Sequence, residues 1–277
     1  MHENSYDGNS GSASTQTIPA VESAKSRPAP SFSGHAMSAL SPPYTTAIAG
    51  CLLAIAGWPG LAIASDSTAS DPHPTLKRLS PDAAVWIDLP GKRVVVGGRV
   101  ALADGPIEFF ACPSKTKEHE SIVVVDAPAR LVHTALLAIG LKPGSPASFE
   151  GEYRPATGDA VAIDVCWRDA EAEHCRPARQ WVRNSRTGRE LECDWVFAGS
   201  QFWKDPSTGI EYYQADGGDL VCVSNFPTAM LDLPIASSQA NEALLFDTYT
   251  ERIPPQGTPV ELIFSKAADK PSPGEKD

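Results

Sequence analysis

Residues 105–144 read GPIEFFACPSKTKEHESIVVVDAPARLVHTALLAIGLKPG, and the order of elements in this stretch decides the fold class. Two runs rich in β-branched and aromatic residues, 107–112 and 121–125, have the length and composition of buried strands. The polar residues 113–120 between them form a connection that is too long for a tight hairpin turn. The stretch therefore predicts a strand, a charged connection, a second strand and a helix.

The predicted helix follows the second strand directly. Asp126 is the expected N-cap, and Pro128 suits the first turn, where its missing N–H has no partner to lose. Apolar residues recur at the three- and four-residue spacing of one helical face, namely Leu131, Val132, Ala135, Leu136 and Ile139. Gly140 and then Pro143 are expected to end the helix. One face of this helix should therefore pack against the strands.

Four segments of the chain carry a resemblance to a known family. They are PIEFFACPSKTKEHES from Pro106, LVHTALLAIGLKPG from Leu131, DWVFAGSQF from Asp194 and TERIPPQGTPVEL from Thr250. In this order the segments resemble the bacterial YdjY-domain family, over roughly residues 107–264. The family has no established activity, so the resemblance implies no reaction. Its namesake is described as ferredoxin-like, but this chain lacks the closely spaced cysteines that an iron–sulfur cluster needs.

Short β-favouring segments separated by turn residues fill most of the remaining sequence. They are residues 84–89, 93–101, 160–168, 173–182, 191–197, 210–214, 220–223 and 259–264. Together with the single clear helix, this spacing predicts a mainly-β protein. The expected architecture is a sandwich or open barrel of antiparallel strands with one covering helix.

The chain begins with a segment that does not favour a folded core. Residues 1–43 are rich in Ser, Ala, Gly and Pro, which predicts a disordered extension. Residues 44–64 contain an apolar run that is typical of a signal peptide cleaved after Ala64. Two alternatives are an uncleaved membrane anchor and a lipoprotein processed at Cys51. Residues 65–265 are then expected to form a single YdjY-like domain, and residues 266–277 a disordered tail.

The charge of the chain bears on its partners. The formal net charge is −11 at pH 7, so nucleic acid is not an expected partner, because phosphates would be repelled at long range. The expected partner is an envelope component or a small ligand. A membrane would be contacted only through an uncleaved signal segment. We therefore predict an exported protein, periplasmic or secreted.

Two cysteines are expected to pair in an oxidising compartment. If residues 160–168 and 173–182 form a hairpin centred on Ala170 and Glu171, Cys166 lies opposite Cys175. In that register Arg168 faces Glu173, and the opposite charges favour it. The alternative is two free thiols in a shifted register, since the turn has no Asn-Gly or Asp-Gly.

Glu108, His119 and Glu120 are the candidate catalytic residues. Antiparallel pairing of the first two strands would bring Glu108 close to the other two, so that an imidazole lies between carboxylates. Such a group suits a hydrolase-like or metal-assisted enzyme. The alternative is a solvated loop in which His119 or Glu120 bonds to backbone groups. No set of metal ligands with defined spacing is present in the sequence, so the metal and the cofactor remain unknown.

Trp203 and Tyr213 are candidates for a shallow groove that takes a sugar or a peptide. The alternative is that these aromatic residues belong to the core. The sequence has no phosphate-binding glycine loop, dinucleotide fingerprint or paired Cys-x-x-Cys motif. We therefore favour a binding or structural module of the cell envelope, with the enzyme that uses His119, Glu108 and Glu120 as the alternative.

Overall fold

Fifteen strands and one α-helix lie in residues 71–237 and 244–268, the parts of the chain that the computed structural model describes. The strands are β1 (Lys77–Arg78), β2 (Val85–Asp88), β3 (Arg93–Val100), β4 (Phe109–Pro113), β5 (Ser121–Val125), β6 (Ala160–Arg168), β7 (Glu173–Pro177), β8 (Val182–Asn184), β9 (Trp195–Phe197), β10 (Phe202–Lys204), β11 (Glu211–Tyr213), β12 (Val221–Cys222), β13 (Leu231–Asp232), β14 (Phe246–Thr248) and β15 (Pro259–Lys266). The helix is α1 (Ala129–Ala138). These described residues are 37% strand and 12% helical, so the fold is mainly β, as predicted.

Eight of the strands close into a barrel in the order β3-β15-β6-β9-β13-β12-β4-β5, and β5 pairs back onto β3. Closure is achieved because β3 changes partners along one edge. Its first half pairs with β2, and its second half pairs with β5 from Gly98 opposite Val125. Two of the pairings, β4 with β5 and β12 with β13, are parallel. The predicted mainly-β fold with one helix is confirmed, and the barrel is closed and mixed, whereas the sequence indicated a sandwich or an open barrel of antiparallel strands.

The barrel core is filled by alternate residues of its strands. Along β15, Val260, Leu262 and Phe264 are buried, while the residues between them are partly exposed. The same period of two places Val161, Ile163 and Val165 of β6 inside. Because side chains alternate between the two faces of a strand, each of these sequences fixes which face is buried.

Helix α1 packs against the β2–β3 region with the apolar face that the sequence predicts, and its buried residues join the same core as Val85 and Val96. The expected N-cap, Asp126, is wrong: the helix is preceded by Pro128, which has no side chain that can accept a hydrogen bond. A distant residue supplies the acceptor. Asp216 Oδ1 accepts from the backbone N–H of Arg130 at 3.0 Å, and its Oδ2 lies 2.5 Å from Arg130 Nη1. A carboxylate at this end also suits the helix dipole.

The helix ends where the sequence predicts. Gly140 has φ +92°, a left-handed conformation that glycine adopts without strain, and its N–H donates to the carbonyl of Leu137 at 3.0 Å.

The β6–β7 hairpin has the predicted register. Cys166 lies opposite Cys175, and Arg168 lies opposite Glu173. The two cysteines form a disulfide, with their Cα atoms 4.1 Å apart. The turn is stabilised by Asp169, whose Oδ1 accepts from the N–H groups of Glu171 and Ala172, each at 2.8 Å. These bonds hold the pKa of Asp169 at about 2.

Several predicted segments lie outside the described residues. These are the N-terminal extension 1–43, the signal peptide 44–64 and residues 269–277 of the expected tail. The start of that tail is described, and there Lys266 is the last residue of β15. Within the described residues, no helix combines the length and the hydropathy that a membrane span requires.

Candidate functional site

Parallel pairing of β4 with β5 places two carboxylates side by side. Phe109 lies opposite Ser121, so the residues just before the two strands, Glu108 and Glu120, are neighbours. The N–H of Glu108 donates to the carbonyl of Glu120 at 3.2 Å. The antiparallel pairing expected from the sequence is wrong, because residues 114–120 run back along the strands and start β5 at the same end as β4.

Glu108 is a buried acid, with 7% of its surface exposed. Burial raises the pKa of Glu108, and the nearby negative charge of Glu120 raises it further, while Lys117 lowers it. The carboxyl group therefore keeps its proton to a higher pH than a surface glutamate does.

Lys117 links the connection between β4 and β5 to the loop before β12. Its Nζ lies 2.8 Å from Asp219 Oδ1, and Thr228 Oγ1 donates to the other carboxylate oxygen of Asp219. The same ammonium lies 4.3 Å from the ring centroid of Phe109 and 5.0 Å from that of Phe226. An ammonium held by a carboxylate and two aromatic faces is fixed in place, and this lysine is suited to a structural role.

His119 does not join the two glutamates in a buried group. Its side chain is 79% exposed, and its Nε2 lies 3.9 Å from Glu120 Oε2. It lines a surface cavity of about 440 Å³ whose other residues include Arg99 and Glu118. The structure thus brings Glu108 and Glu120 together and leaves the imidazole in solvent. Among the described residues, no group of three or more His, Cys, Asp or Glu side chains is arranged to hold a metal ion.

Trp203 and Tyr213 do not line one groove. In the β10–β11 hairpin Trp203 lies opposite Tyr212, whereas Tyr213 lies opposite Phe202. Trp203 is 48% exposed and Tyr213 only 6%. Because neighbouring positions of a strand point to opposite faces, the two rings are directed apart.

Tyr213 instead forms a hydrogen-bonded chain with His133, a residue that sequence reasoning did not select. The Tyr213 hydroxyl donates to the carbonyl of Gly199 at 3.0 Å and lies 2.8 Å from His133 Nδ1. Since the carbonyl accepts the only hydroxyl proton, Nδ1 of the imidazole must be the donor to the tyrosine. Burial lowers the pKa of His133 and raises that of Tyr213, so both groups are held neutral.

Asp232 is a second buried acid that the sequence did not reveal. It is 0% exposed. Its Oδ1 accepts from Asn225 Nδ2 at 3.0 Å and from the N–H of Leu233 at 2.7 Å. Its Oδ2 has no hydrogen-bond partner among the described residues. Burial raises the pKa of Asp232 to about 7, against the hydrogen bonds that favour the ionised form.

A cavity of about 570 Å³ lies on the outer face of the sheet formed by β2, β3, β15 and β6. We call it the outer groove; it is lined by Pro72, His73, Ala84, Trp86, Gly97, Gly98, Asp126, Cys166, Trp167, Arg168, Glu173, Pro259, Val260 and Glu261. Glu261 lies opposite both Gly97 and Cys166 in the strand register. A side-chain carbon added at Gly97 would lie only 2.9 Å from Ala84 Cβ, so this glycine allows Ala84 to pack closely against the sheet beneath the groove.

Charged pairs surround the outer groove. His73 Nε2 lies 2.7 Å from Glu261 Oε1, and Arg168 Nη2 lies 2.7 Å from Glu173 Oε2. With Asp126, the groove presents three carboxylates against one guanidinium and one imidazole. The glycine pair of β3 marks close packing: a side-chain carbon at Gly98 would clash with the Val124 carbonyl oxygen, where β3 changes its partner to β5.

Comparison with known proteins places the chain in a family. The model of the YdjY domain matches residues 85–265. The chain belongs to the YdjY-domain family. A search of curated proteins and a search of solved structures each found no match.

The matched YdjY domain contains nearly all of the residues described above. Glu108, Glu120, Asp232, Glu261 and the Cys166–Cys175 disulfide all lie within residues 85–265. His73, which pairs with Glu261, precedes the matched region. The outer groove of this YdjY domain is thus bordered on one side by chain that lies outside the family match.

Proposed function

We propose that this protein is an exported binding module of the cell envelope, and that the outer groove takes its ligand. The observation that carries the proposal is the groove itself, about 570 Å³ in volume. That volume lies within the range of small-molecule sites, which runs from roughly 300 to 1,000 Å³. Ligand sites combine apolar walls with a few placed polar groups, and the disulfide, Trp86 and Glu261 are of these kinds.

The charge of the groove selects the class of ligand. Three carboxylates face one guanidinium and one imidazole, and the whole chain carries a net charge of −11. An amine-bearing ligand, such as a lysine side chain of a peptide, would be attracted over a distance and would meet the Glu261 carboxylate on arrival. To bind there, its ammonium would take the place of the His73 imidazole.

The ligand class is tested by isothermal titration calorimetry. The probe is the blocked tripeptide Gly-Lys-Gly, with Gly-Glu-Gly as the charge-reversed comparison. Saturable binding of the lysine peptide should weaken about tenfold in Glu261→Gln, because one charge-assisted hydrogen bond is lost. Glu211→Gln, an exposed glutamate on β11, is the matched control and should bind as the wild type does. Equal binding by both variants, or binding of the glutamate peptide, would contradict the proposal.

Export is supported by two observations. The apolar run in residues 44–64 has the pattern of a signal peptide, and the Cys166–Cys175 disulfide suits an oxidising compartment. Intact-mass analysis of the protein from its native envelope should give an N-terminus at Ser65. A cytoplasmic protein that starts at Met1 would contradict export and leave the ligand test unaffected.

The enzyme alternative rests on the raised pKa of Glu108 beside Glu120. A glutamic acid that holds its proton can act as a general acid if a substrate reaches it. An activity screen against ester, amide and glycoside substrates would test this alternative with Glu108→Gln as the inactive variant. Activity that survives in Glu108→Gln would exclude this acid as the catalyst.

A further inference from the structure

A second cavity, of about 300 Å³, lies beside the other face of the β6–β7 hairpin. We call it the arginine pocket; it is lined by Trp167, His174, Arg176, Gln180, Trp181 and Arg252. No carboxylate is among these lining residues. The lining therefore combines two guanidinium groups and an imidazole with two indole rings, in a chain whose net charge is −11.

The two arginines differ in how far they are neutralised. Arg252 Nη1 lies 2.6 Å from Glu190 Oε2, and its guanidinium lies 3.7 Å from the ring centroid of Tyr249. Arg176 donates from Nη1 to the carbonyl of Cys175 at 3.0 Å and forms no ion pair with any described residue. Arg176 thus keeps donors and a full positive charge for an anion.

Trp181 supplies an independent observation that points to a ligand. The residue is 1% exposed, and its Nε1–H has no acceptor among the described residues. Leaving a buried donor unpaired costs about 1–3 kcal/mol, so such groups call for an explanation. Trp181 is also one of the residues that line the arginine pocket, so a ligand there would contact the residue that carries this unpaired donor.

The aromatic wall defines the body of the ligand. The Trp167 ring stacks on His174 with centroids 5.0 Å apart and lies 5.3 Å from the Trp181 ring. A flat ligand ring could pack against these aromatic side chains. The fork of a guanidinium matches the two oxygens of a carboxylate.

We infer that the arginine pocket binds a small aromatic carboxylate. Its carboxylate accepts from Arg176 and from the Trp181 indole N–H, and its ring packs against Trp167. The cavity volume of about 300 Å³ limits the ligand to roughly one ring with its acid group. This site is separate from the outer groove, and its ligand has the opposite charge.

The test follows the indole N–H resonances of the full chain by ¹H–¹⁵N NMR while sodium benzoate is added at constant ionic strength. The Trp181 resonance should shift saturably. Arg176→Gln should weaken benzoate binding about tenfold, because a charge-assisted hydrogen bond is removed. Arg186→Gln is the matched control: this exposed arginine lies outside the pocket, and the variant should bind benzoate unchanged.

Three results would overturn the inference. One is a Trp181 resonance that does not saturate or does not move. Another is an equal loss of benzoate affinity in Arg176→Gln and Arg186→Gln, which would indicate nonspecific attraction. The third is binding of inorganic phosphate without binding of benzoate, which would remove the aromatic acid as the ligand class.

Discussion

Acidic residues of the β6–β7 hairpin differ in their surroundings from those around β12 and β13. On the hairpin, Glu173 and Asp169 lie at the surface and pair with Arg168 and His174. Near β12 and β13, Asp219 and Asp232 are buried, 7% and 0% exposed. Surface acids remain available to a ligand, whereas buried acids mainly determine how stability depends on pH and on their partners. Whether an acidic residue is buried or exposed therefore matters more for its role than whether it is an aspartate or a glutamate.

The largest expected effect of a buried acid is the pH dependence due to Asp232. Its pKa rises to about 7 in the folded protein. It lies near 4 in the unfolded chain. Below about pH 4 the carboxyl group is protonated in both the folded and the unfolded state. Between about pH 4 and pH 7 only the unfolded state releases the proton, so the free energy of unfolding falls as the pH rises. Above about pH 7 both states are ionised and the free energy of unfolding stays at the lower value. Between pH 4.5 and pH 8, Asp232 should cost the wild type about 3 kcal/mol of stability. Urea unfolding should show that Asp232→Asn lacks this loss. An unchanged pH profile would contradict this account.

The disulfide should have the largest effect on the hairpin. Replacing both cysteines, Cys166→Ser with Cys175→Ser, removes a link between residues nine positions apart. It should lower the free energy of unfolding by about 3 kcal/mol, since the unfolded chain gains freedom. Urea unfolding with and without reductant is the measurement. Reductant should destabilise the wild type and leave the double variant unaffected. A wild type whose free energy of unfolding is the same with and without reductant would contradict the disulfide.

Lys117 provides a test of a buried charge pair. Lys117→Met should reduce stability by about 2 kcal/mol, because Asp219 would keep a buried charge without its ammonium partner. Adding Asp219→Asn to the same chain should recover part of that loss, as a double-mutant cycle of thermal unfolding would show. Additive losses in the double variant would mean that the two residues are not coupled.

The surface pair on the hairpin should have the smallest effect. Arg168 and Glu173 are 73% and 66% exposed in their side chains. Exposed pairs of this kind contribute at most about 1 kcal/mol and are weakened by salt. Arg168→Gln should therefore change the midpoint of urea unfolding little, and less at high salt. A loss as large as that of Lys117→Met would remove the distinction between the two regions.

Local patterns allowed much of the fold to be predicted. The strands at 121–125 and 160–168 match β5 and β6, and the apolar face of α1 followed from residue spacing. The cysteine pairing followed from spacing together with the opposite charges of Arg168 and Glu173. Contacts between residues far apart in the sequence could not be predicted from these local patterns. The direction of β4 against β5 depends on the path of the connecting loop, and the α1 acceptor Asp216 lies 86 residues from Arg130.

The candidate sites were harder to predict for the same reason. Glu108 was selected because antiparallel pairing of two strands was expected to bring it close to His119 and Glu120, whereas the structure places it beside Glu120 by parallel pairing. The outer groove combines residues from β2, β3, β15 and β6, which no local pattern joins. The arginine pocket had little signal in the sequence: of the five arginines in residues 176–189 only Arg176 lines it, and Arg252 comes from a distant segment.

The position of β15 governs the order in which the chain can fold. This last strand of the described domain lies between β3 and β6, two strands from much earlier in the sequence. During synthesis the N-terminal part of a chain emerges first. Until Pro259–Lys266 emerges, β3 and β6 lack the neighbour that joins them, and the barrel stays open. Closure by contacts distant in sequence is slow, so the barrel of a nascent chain would stay open until β15 has been synthesised.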